Sequence, residues 1–149
     1  MTKPRWPWDN HKRGDRDNYG TPEELYKTLD LEFHFDHDPC SLNPDGLRPV
    51  DGLGDWGKSN FVNPPYSKKT PWIEKAIKEQ SKGNLTVMLL PVDTSTNWFH
   101  DLILPHAEVR WLRSRLKFGK FDKHYPAKFA SMVCVFKPTV IPHEPEAKT

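Results

Sequence analysis

The sequence predicts an α/β sandwich, in which helices cover a mostly parallel sheet. Helix patterns alternate along the chain with short apolar strand patterns. Residues 85–91 form a nearly continuous apolar run, which is typical of a strand buried on both faces. The last two strand patterns, 109–118 and 130–136, have no helix between them, so we expect an antiparallel C-terminal strand pair.

Length and composition indicate a single cytoplasmic domain. A chain of 149 residues can bury one core. The hydrophobic content of 36% and the mean hydropathy of −0.79 argue against a membrane span, which needs about 18 consecutive apolar residues. The N-terminal segment lacks the apolar core of a signal peptide. We therefore expect both cysteines, Cys40 and Cys134, to be reduced thiols.

We expect the chain to divide into three segments. Residues 1–18 carry basic and tryptophan side chains without periodicity, which predicts a flexible N-terminal arm. Such an arm could touch nucleic acid, or it could be no more than a solvated tail. Residues 19–137 are expected to form the single domain, and residues 138–149 a disordered tail.

The first helix has a clear start signal. Thr21 is predicted as the N-cap and Pro22 as the first helical residue, and Glu24 would complete a capping box. The apolar spacing then continues to about Glu32. Two further helix patterns follow, at 70–83, where Gly83 ends the helix, and at 94–104.

A carboxylate stands at the end of the first strand pattern. Residues 33–38 alternate apolar and polar side chains, and the pattern ends at Asp38-Pro39. A carboxylate there, with the next residue fixed by its proline ring, suits a ligand that carries an ammonium group or hydroxyls. Three potential metal ligands lie close by: His34, His37 and Cys40. No fourth ligand has a zinc-type spacing, so we expect no metal.

The segment Asn63-Pro64-Pro65-Tyr66 follows directly on Phe61-Val62, which we interpret as the end of the next strand. Two consecutive prolines fix φ near −65° and remove two donors, so the strand must stop in a rigid loop. In open α/β sheets, ligands bind at this end of the strands. The Asn63 amide oxygen and the Pro64 carbonyl would together receive an NH2 group, and Tyr66 could stack on its carrier. The alternative is that the prolines merely end a strand.

Residues 41–58 are rich in turn-forming residues, and they contain Asp51 before a glycine. An aspartate in that position is most often only a turn residue. Asp51 also lies just upstream of the central strand, where it could reach an amino group on a bound adenine.

A basic stretch follows the third helix pattern. Residues 110–128 contain seven basic side chains and one acidic side chain, Asp122. In an unbroken strand, Arg113, Arg115 and Lys117 would share one face. Such a run is often only a solvated face. We favour contact of these three side chains with DNA phosphates.

Together these motifs resemble the phage-type DNA N6-adenine methyltransferase family, over about Tyr19 to Lys137. The resemblance rests on Thr21-Pro22, Asp38-Pro39-Cys40, Asp51-Gly52-Leu53, Asp55-Trp56, Asn63-Pro64-Pro65-Tyr66, Trp72, Leu90-Pro91, Trp98-Phe99-His100 and Arg115-Leu116-Lys117-Phe118-Gly119. It implies a Rossmann-like fold and S-adenosylmethionine as methyl donor. One departure is that no G-x-G turn follows the strand that ends at Asp38.

The resemblance also implies roles for individual residues. It makes the segment from Asn63 to Tyr66 catalytic. It places five residues around the cofactor: Thr21, Pro22, Asp38, Pro39 and Asp51. The resemblance implies that the substrate is double-stranded DNA. The protein would act in the cytoplasm, or in the host cytoplasm if it is phage-encoded. The target base must leave the duplex to reach the loop.

Three other functions stay open on the residues alone. Cytosine N4 and a protein glutamine side chain also present an NH2 group to the same loop. The third alternative is a catalytically silent nucleic-acid-binding module, which the missing G-x-G turn makes conceivable.

Overall fold

The computed structural model describes residues 20–40, 52–120, 123–126 and 129–139, with the backbone alone at 117–120 and 123–126. The helices are α1 (Glu23–Phe33) and α2 (Lys69–Ser81), with a 3-10 turn (Tyr66–Lys68) before α2 and a π-helical turn (Phe99–Ile103) after β2. The strands are β1 (Ser59–Val62), β2 (Leu85–Pro91), β3 (Glu108–Trp111), β4 (Lys117–Lys120), β5 (Lys123–Pro126) and β6 (Ser131–Phe136).

Four of these strands form one sheet in the order β1-β2-β6-β3, and β4 and β5 form a separate antiparallel pair. β1 and β2 are parallel, whereas β6 is antiparallel to both β2 and β3. The predicted antiparallel pairing of β3 with β6 is confirmed. Three of the four strands therefore share one direction, but only the β1–β2 pairing is parallel. The sequence did not predict that β6 would lie between β2 and β3.

The sheet has a core on each face. Val87 and Leu89 of β2 belong to the cluster that contains Leu29 of α1, while Met88 and Leu90 belong to the cluster that contains Ile73 of α2. All four side chains of β2 are fully buried, as expected for an apolar strand covered on both sides. Helices thus cover both faces, as predicted, but the prediction of a mostly parallel sheet is wrong, because two of the three strand pairings in this sheet are antiparallel.

The predicted start of α1 is wrong. The helix begins at Glu23 with Pro22 as its N-cap, and no side chain caps it. The hydroxyl of Thr21 instead accepts a hydrogen bond from Asn63. At the other end, His34 adopts a left-handed conformation (φ 51°) and its N–H bonds the carbonyl of Asp30.

Residues 33–38 do not form the predicted strand, because Phe33 belongs to α1 and His34 turns the chain. The extended segment that remains makes only an isolated parallel bridge between His37 and Asn60 of β1. Two backbone hydrogen bonds accompany it, from Asp36 to Ser59 (2.9 Å) and from Phe61 to His37 (3.0 Å).

The single strand predicted at 109–118 is also wrong. β3 ends at Trp111, Ser114 has a left-handed backbone (φ 64°), and a new strand, β4, starts at Lys117. Leu112 and Leu116 pack against the core on the α1 side of the sheet. The interruption removes the basis for placing Arg113, Arg115 and Lys117 on one face of one strand.

The other helix predictions need smaller changes. α2 starts at Lys69, and Gly83 (φ 88°) follows its end, as predicted. The helix predicted at 94–104 begins only at Asn97, after a turn in which Thr96 bonds the Asp93 carbonyl, and most of it is the π-helical turn.

The predicted N-terminal arm lies outside the described residues, as does most of the predicted tail. The described chain ends at Thr139, whose backbone N–H and hydroxyl both donate to the Gln80 carbonyl at 3.3 Å. Cys40 and Cys134 are both buried and form no disulfide with each other. No helix in the described ranges has the length and apolar character to cross a membrane.

Candidate active site

The predicted site residues on two neighbouring extended segments meet at one edge of the sheet. Asn63 directly follows β1, and β1 and β2 both end at this edge because they are parallel. The bridge between His37 and Asn60 sets the segment from residue 35 alongside β1 in the same direction. Asp38 therefore lies beside Phe61, at the same edge as Asn63.

The side chain of Asn63 is held by Thr21, which precedes the N-cap residue of α1. Only 4% of Asn63 is exposed, and its Nδ2 donates to Thr21 Oγ1 at 3.1 Å. A buried amide must keep its hydrogen bonds, because each unmet one costs about 1–3 kcal/mol. The nitrogen branch of the amide therefore points to Thr21, and the oxygen branch points the other way.

The loop that follows Asn63 is rigid, as its prolines predict. Pro64 is buried and Pro65 is extended (φ −63°, ψ 121°). The Pro65 carbonyl accepts from Lys68 N–H at 3.0 Å and closes the 3-10 turn. The Lys69 ammonium donates to the Tyr66 carbonyl at 3.0 Å. Backbone and side-chain bonds thus fix both ends of the turn.

Two aromatic contacts define the surroundings of the loop. The Tyr66 ring meets Phe129 edge to face, with ring centroids 5.2 Å apart. The Lys69 ammonium lies 4.9 Å from the centroid of the Trp98 ring, within the range of a cation–π contact. Phe129 precedes β6 and Trp98 follows β2, so both rings come from segments at the sheet edge where β2 ends.

The turn at Pro39 packs against a glycine. A Cβ on Gly52 would overlap both the Pro39 carbonyl oxygen and the Trp72 ring, so only glycine fits there. The Gly52 carbonyl accepts from Trp56 Nε1 at 2.8 Å, and the Trp56 ring stacks on Trp72 at 6.2 Å. Asp51, the residue before this glycine, lies outside the described residues, so its predicted role stays a prediction.

The charge of Asp38 acts on α1. Asp38 is half-buried, and Tyr26 of α1 meets Phe61 edge to face at 5.1 Å. Burial raises the pKa of Tyr26, and the negative charges of Asp38 and Asp30 raise it further. The carboxylate of Asp38 is therefore close enough to α1 to act electrostatically on Tyr26.

Sequence reasoning missed several residues that shape the site. Asn60 in β1 is fully buried, and its amide accepts from Gly57 N–H (2.8 Å) and donates to the carbonyls of Gly57 (2.8 Å) and Leu85 (3.0 Å). These bonds tie the segment before β1 to the sheet. An asparagine inside an apolar strand could have signalled this role. Nothing local signals the contact of Phe129 with Tyr66.

The basic residues fall into two groups. Arg113 and Arg115 are exposed, and neither forms an ion pair with another described residue. They follow β3, which ends at the same edge as β1, three strand spacings away, or about 15 Å. Lys117 begins β4, and its side chain lies outside the described part of the structure. Arg110, in contrast, is ion-paired with Glu32.

The structure does not assemble the three potential metal ligands into a cluster. Among the described residues, no group of three or more His, Cys, Asp or Glu side chains could hold a metal ion. His34 is exposed where it ends α1, and Cys40 is buried in the core on the α2 side.

Comparison with known proteins identifies the family. The family model described as DNA N-6-adenine-methyltransferase (Dam) matches residues 9–144. The DNA N-6-adenine-methyltransferase of Haemophilus phage HP1 (strain HP1c1) is 32% identical over 121 residues, which cover 73% of this chain and 70% of that protein. The protein of the same name from Escherichia phage T1 is 41% identical over 63 residues, 41% of this chain and 26% of that protein. No solved structure matches. The chain therefore belongs to the DNA N-6-adenine-methyltransferase (Dam) family, as its motifs predicted.

Proposed function

We propose that this protein transfers a methyl group from S-adenosylmethionine to the N6 amino group of adenine in double-stranded DNA. The main observation is that a buried asparagine, fixed through its nitrogen, stands directly before Pro64 at the edge where parallel strands end. Family membership supports the same reaction. The strand directions, the parallel β1–α2–β2 crossover and the helices on both faces support a Rossmann-like fold.

The residues at the edge fit this cofactor chemically. S-adenosylmethionine carries an ammonium, a sulfonium and two ribose hydroxyls, and the half-buried carboxylate of Asp38 can bind either a cation or hydroxyls. When bound, S-adenosylmethionine would supply a methyl group that is electrophilic because the methyl carbon is attached to positively charged sulfur. We assign the cofactor site to five residues: Asp38, Pro39, Thr21, Pro22 and, by resemblance alone, Asp51.

The loop supplies acceptors for the reacting amino group. The N6 lone pair of adenine is delocalised into the ring, so it is a weak nucleophile. Asn63 Oδ1 and the Pro64 carbonyl accept the two N6 hydrogens, and both bonds strengthen as positive charge develops on nitrogen. S-adenosylmethionine would supply the methyl group and would leave as the neutral thioether, and the methylated nitrogen would release its extra proton to water. Preorganised acceptors therefore lower the barrier rather than only binding the base.

The ring of Tyr66 holds the base in place. The target adenine must leave the duplex to reach a loop at the sheet edge. Tyr66 then stacks on its face, and Phe129 supports Tyr66 from the side. The exposed Arg113 and Arg115 contact phosphates of the flanking duplex, which fixes position without reading sequence.

Product analysis tests the reaction. The protein is incubated with labelled S-adenosylmethionine and duplex DNA, and the DNA is digested to nucleosides; we expect N6-methyladenine. N4-methylcytosine would indicate a cytosine enzyme, and label in protein alone a glutamine enzyme. A protein that neither binds S-adenosylmethionine nor transfers its methyl group would be the catalytically silent nucleic-acid-binding module.

Two variants assign that result to the loop. Asn63→Ala should abolish most of the product. Asn84→Ala is the matched control, because Asn84 bonds Glu79 (2.7 Å) at the start of β2, the opposite edge of the sheet. It should cost stability, about 1 kcal/mol for one hydrogen bond, and leave the product unchanged.

A further inference from the structure

An amide side chain can present either of two opposite groups to a ligand. Rotation of the Asn63 amide by half a turn would exchange Oδ1 and Nδ2 with almost no change of shape. With the oxygen toward the adenine amino group, the amide accepts an N6 hydrogen. With the nitrogen there, two donors would face each other and the developing positive charge would be repelled. The reaction therefore needs one of the two orientations.

In the structure the amide has one of these orientations: Nδ2 donates to the Thr21 hydroxyl, which leaves Oδ1 on the other branch. Asn63 Nδ2 lies 3.1 Å from Thr21 Oγ1, and Asn63 is almost fully buried, so water cannot easily replace this acceptor. The Thr21 hydroxyl is available for this contact because no side chain caps α1. Pro22, whose φ is −56°, follows Thr21 and restricts the backbone that carries it.

We propose that Thr21 is a positioning residue for the methyl transfer, whose hydroxyl holds the Asn63 amide with its oxygen toward the target amino group. The role rests on the proposed function. It differs from the cofactor contact that the family resemblance implies for Thr21, because it acts on the reacting base through Asn63.

Single-turnover rates at saturating S-adenosylmethionine and DNA test the role. Thr21→Val keeps the shape but removes the acceptor, and the rate should fall about tenfold, the equivalent of one hydrogen bond. Thr21→Ser should restore the rate to within about twofold, because the hydroxyl remains. The cofactor dissociation constant is measured separately for each variant, because the proposed function also places Thr21 in the cofactor site, and all rates are compared at saturation. Thr28→Val on exposed α1, whose hydroxyl bonds the Glu24 carbonyl, is the matched control and should change neither value.

A double variant tests whether Thr21 acts by orienting the Asn63 amide or only by stabilising the loop around it. In Asn63→Asp the two carboxylate oxygens are equivalent, so no orientation needs to be selected. Adding Thr21→Val to that variant should therefore slow it by less than about threefold, against about tenfold in the parent. Equal effects in the two backgrounds would overturn the proposal. So would Thr21→Val that binds the cofactor weakly but reacts at the parental rate, since Thr21 would then serve the cofactor.

A spectroscopic measurement keeps this inference separate from the reaction itself. In protein labelled with 15N-asparagine, the side-chain NH2 signal that disappears in Asn63→Asp belongs to Asn63. Thr21→Val should shift this signal and speed its hydrogen exchange, while Thr21→Ser should preserve both. If the parent transferred no methyl group to adenine, the proposed function would fail, yet this signal would still show whether Thr21 holds the amide. An unchanged signal in Thr21→Val would overturn the contact.

Discussion

Arg110 of the edge strand β3 forms a bidentate ion pair with Glu32 near the end of α1, through two parallel hydrogen bonds. Nη1 lies 2.7 Å from Oε1 and Nη2 lies 2.6 Å from Oε2. The guanidinium also lies 5.1 Å from the centroid of the Phe33 ring, and Nε contacts Glu108 at 3.3 Å. Arg110 therefore joins the edge of the sheet to the helix. It does not belong with the exposed arginines that follow it.

This ion pair predicts a pH-dependent contribution to stability. The hydrogen bond from Arg110 lowers the pKa of Glu32. Its stabilisation is then complete above the unfolded pKa of about 4.3 and is lost as pH falls through the lower folded value. Glu32→Gln should lower the free energy of unfolding at pH 7 and should lower it much less at pH 3.

Urea denaturation at several pH values measures this difference. Glu23→Gln is the matched control, since Glu23 forms an exposed pair with Lys27 on the same helix (3.0 Å) and should contribute less. A loss in Glu32→Gln that is as large at pH 3 as at pH 7 would attribute the effect to packing instead.

The exposed arginines after β3 should carry affinity for DNA. Each phosphate contact contributes about −0.9 to the slope of log K against log salt on duplex DNA. Replacing both Arg113 and Arg115 with alanine should therefore flatten the slope by roughly two units and weaken all duplexes alike. Fluorescence anisotropy over a range of salt concentrations measures it.

A second double variant controls for net charge. Lys27 and Lys78 are exposed on α1 and α2. Their joint replacement by alanine removes the same charge, and the slope should keep its parental value. If both double variants flatten the slope equally, the arginines act through net charge and make no phosphate contact.

Asp38 should determine cofactor affinity. Loss of a hydrogen bond to a charged group costs about 1.5–3 kcal/mol, so Asp38→Ala should weaken binding of S-adenosylmethionine roughly tenfold to a hundredfold. Asp38→Asn, which keeps an acceptor without the charge, should weaken binding less. Isothermal titration calorimetry measures both, with Asp101→Ala at an exposed position as control. Unchanged affinity in Asp38→Ala would remove this residue from the cofactor site.

Asn63 should affect chemistry more than binding. Loss of one preorganised group that stabilises developing charge costs about 3 kcal/mol, so Asn63→Ala should slow single turnover about a hundredfold or more. The dissociation constant for the cofactor should barely change, since the proposed function places this side chain against the base and not against the cofactor. Asn63→Asp keeps an acceptor and should retain more activity than Asn63→Ala. An alanine variant as fast as the parent would show that the loop only ends a strand.

Local chemistry in the sequence determined several parts of the structure. Two prolines cannot continue a strand, so a rigid loop after Val62 followed from covalent geometry alone. The apolar run at 85–91 predicted a strand covered on both faces, and Gly83 supplies the positive φ after α2. The motif order was sufficient to predict the family.

Tertiary structure decided which of these parts meet. Thr21 and Asn63 are 42 positions apart, and local rules assigned Thr21 to a helix cap that competes for the same hydroxyl. The buried amide of Asn63 has the stronger demand, because an unmet polar group costs more inside the protein than at an exposed helix end. The same reason separates Arg110 from Arg113: identical side chains in one basic stretch differ only in what the fold brings beside them. Local preferences restrict φ and ψ one residue at a time, whereas partners are chosen when the sheet and its helices pack.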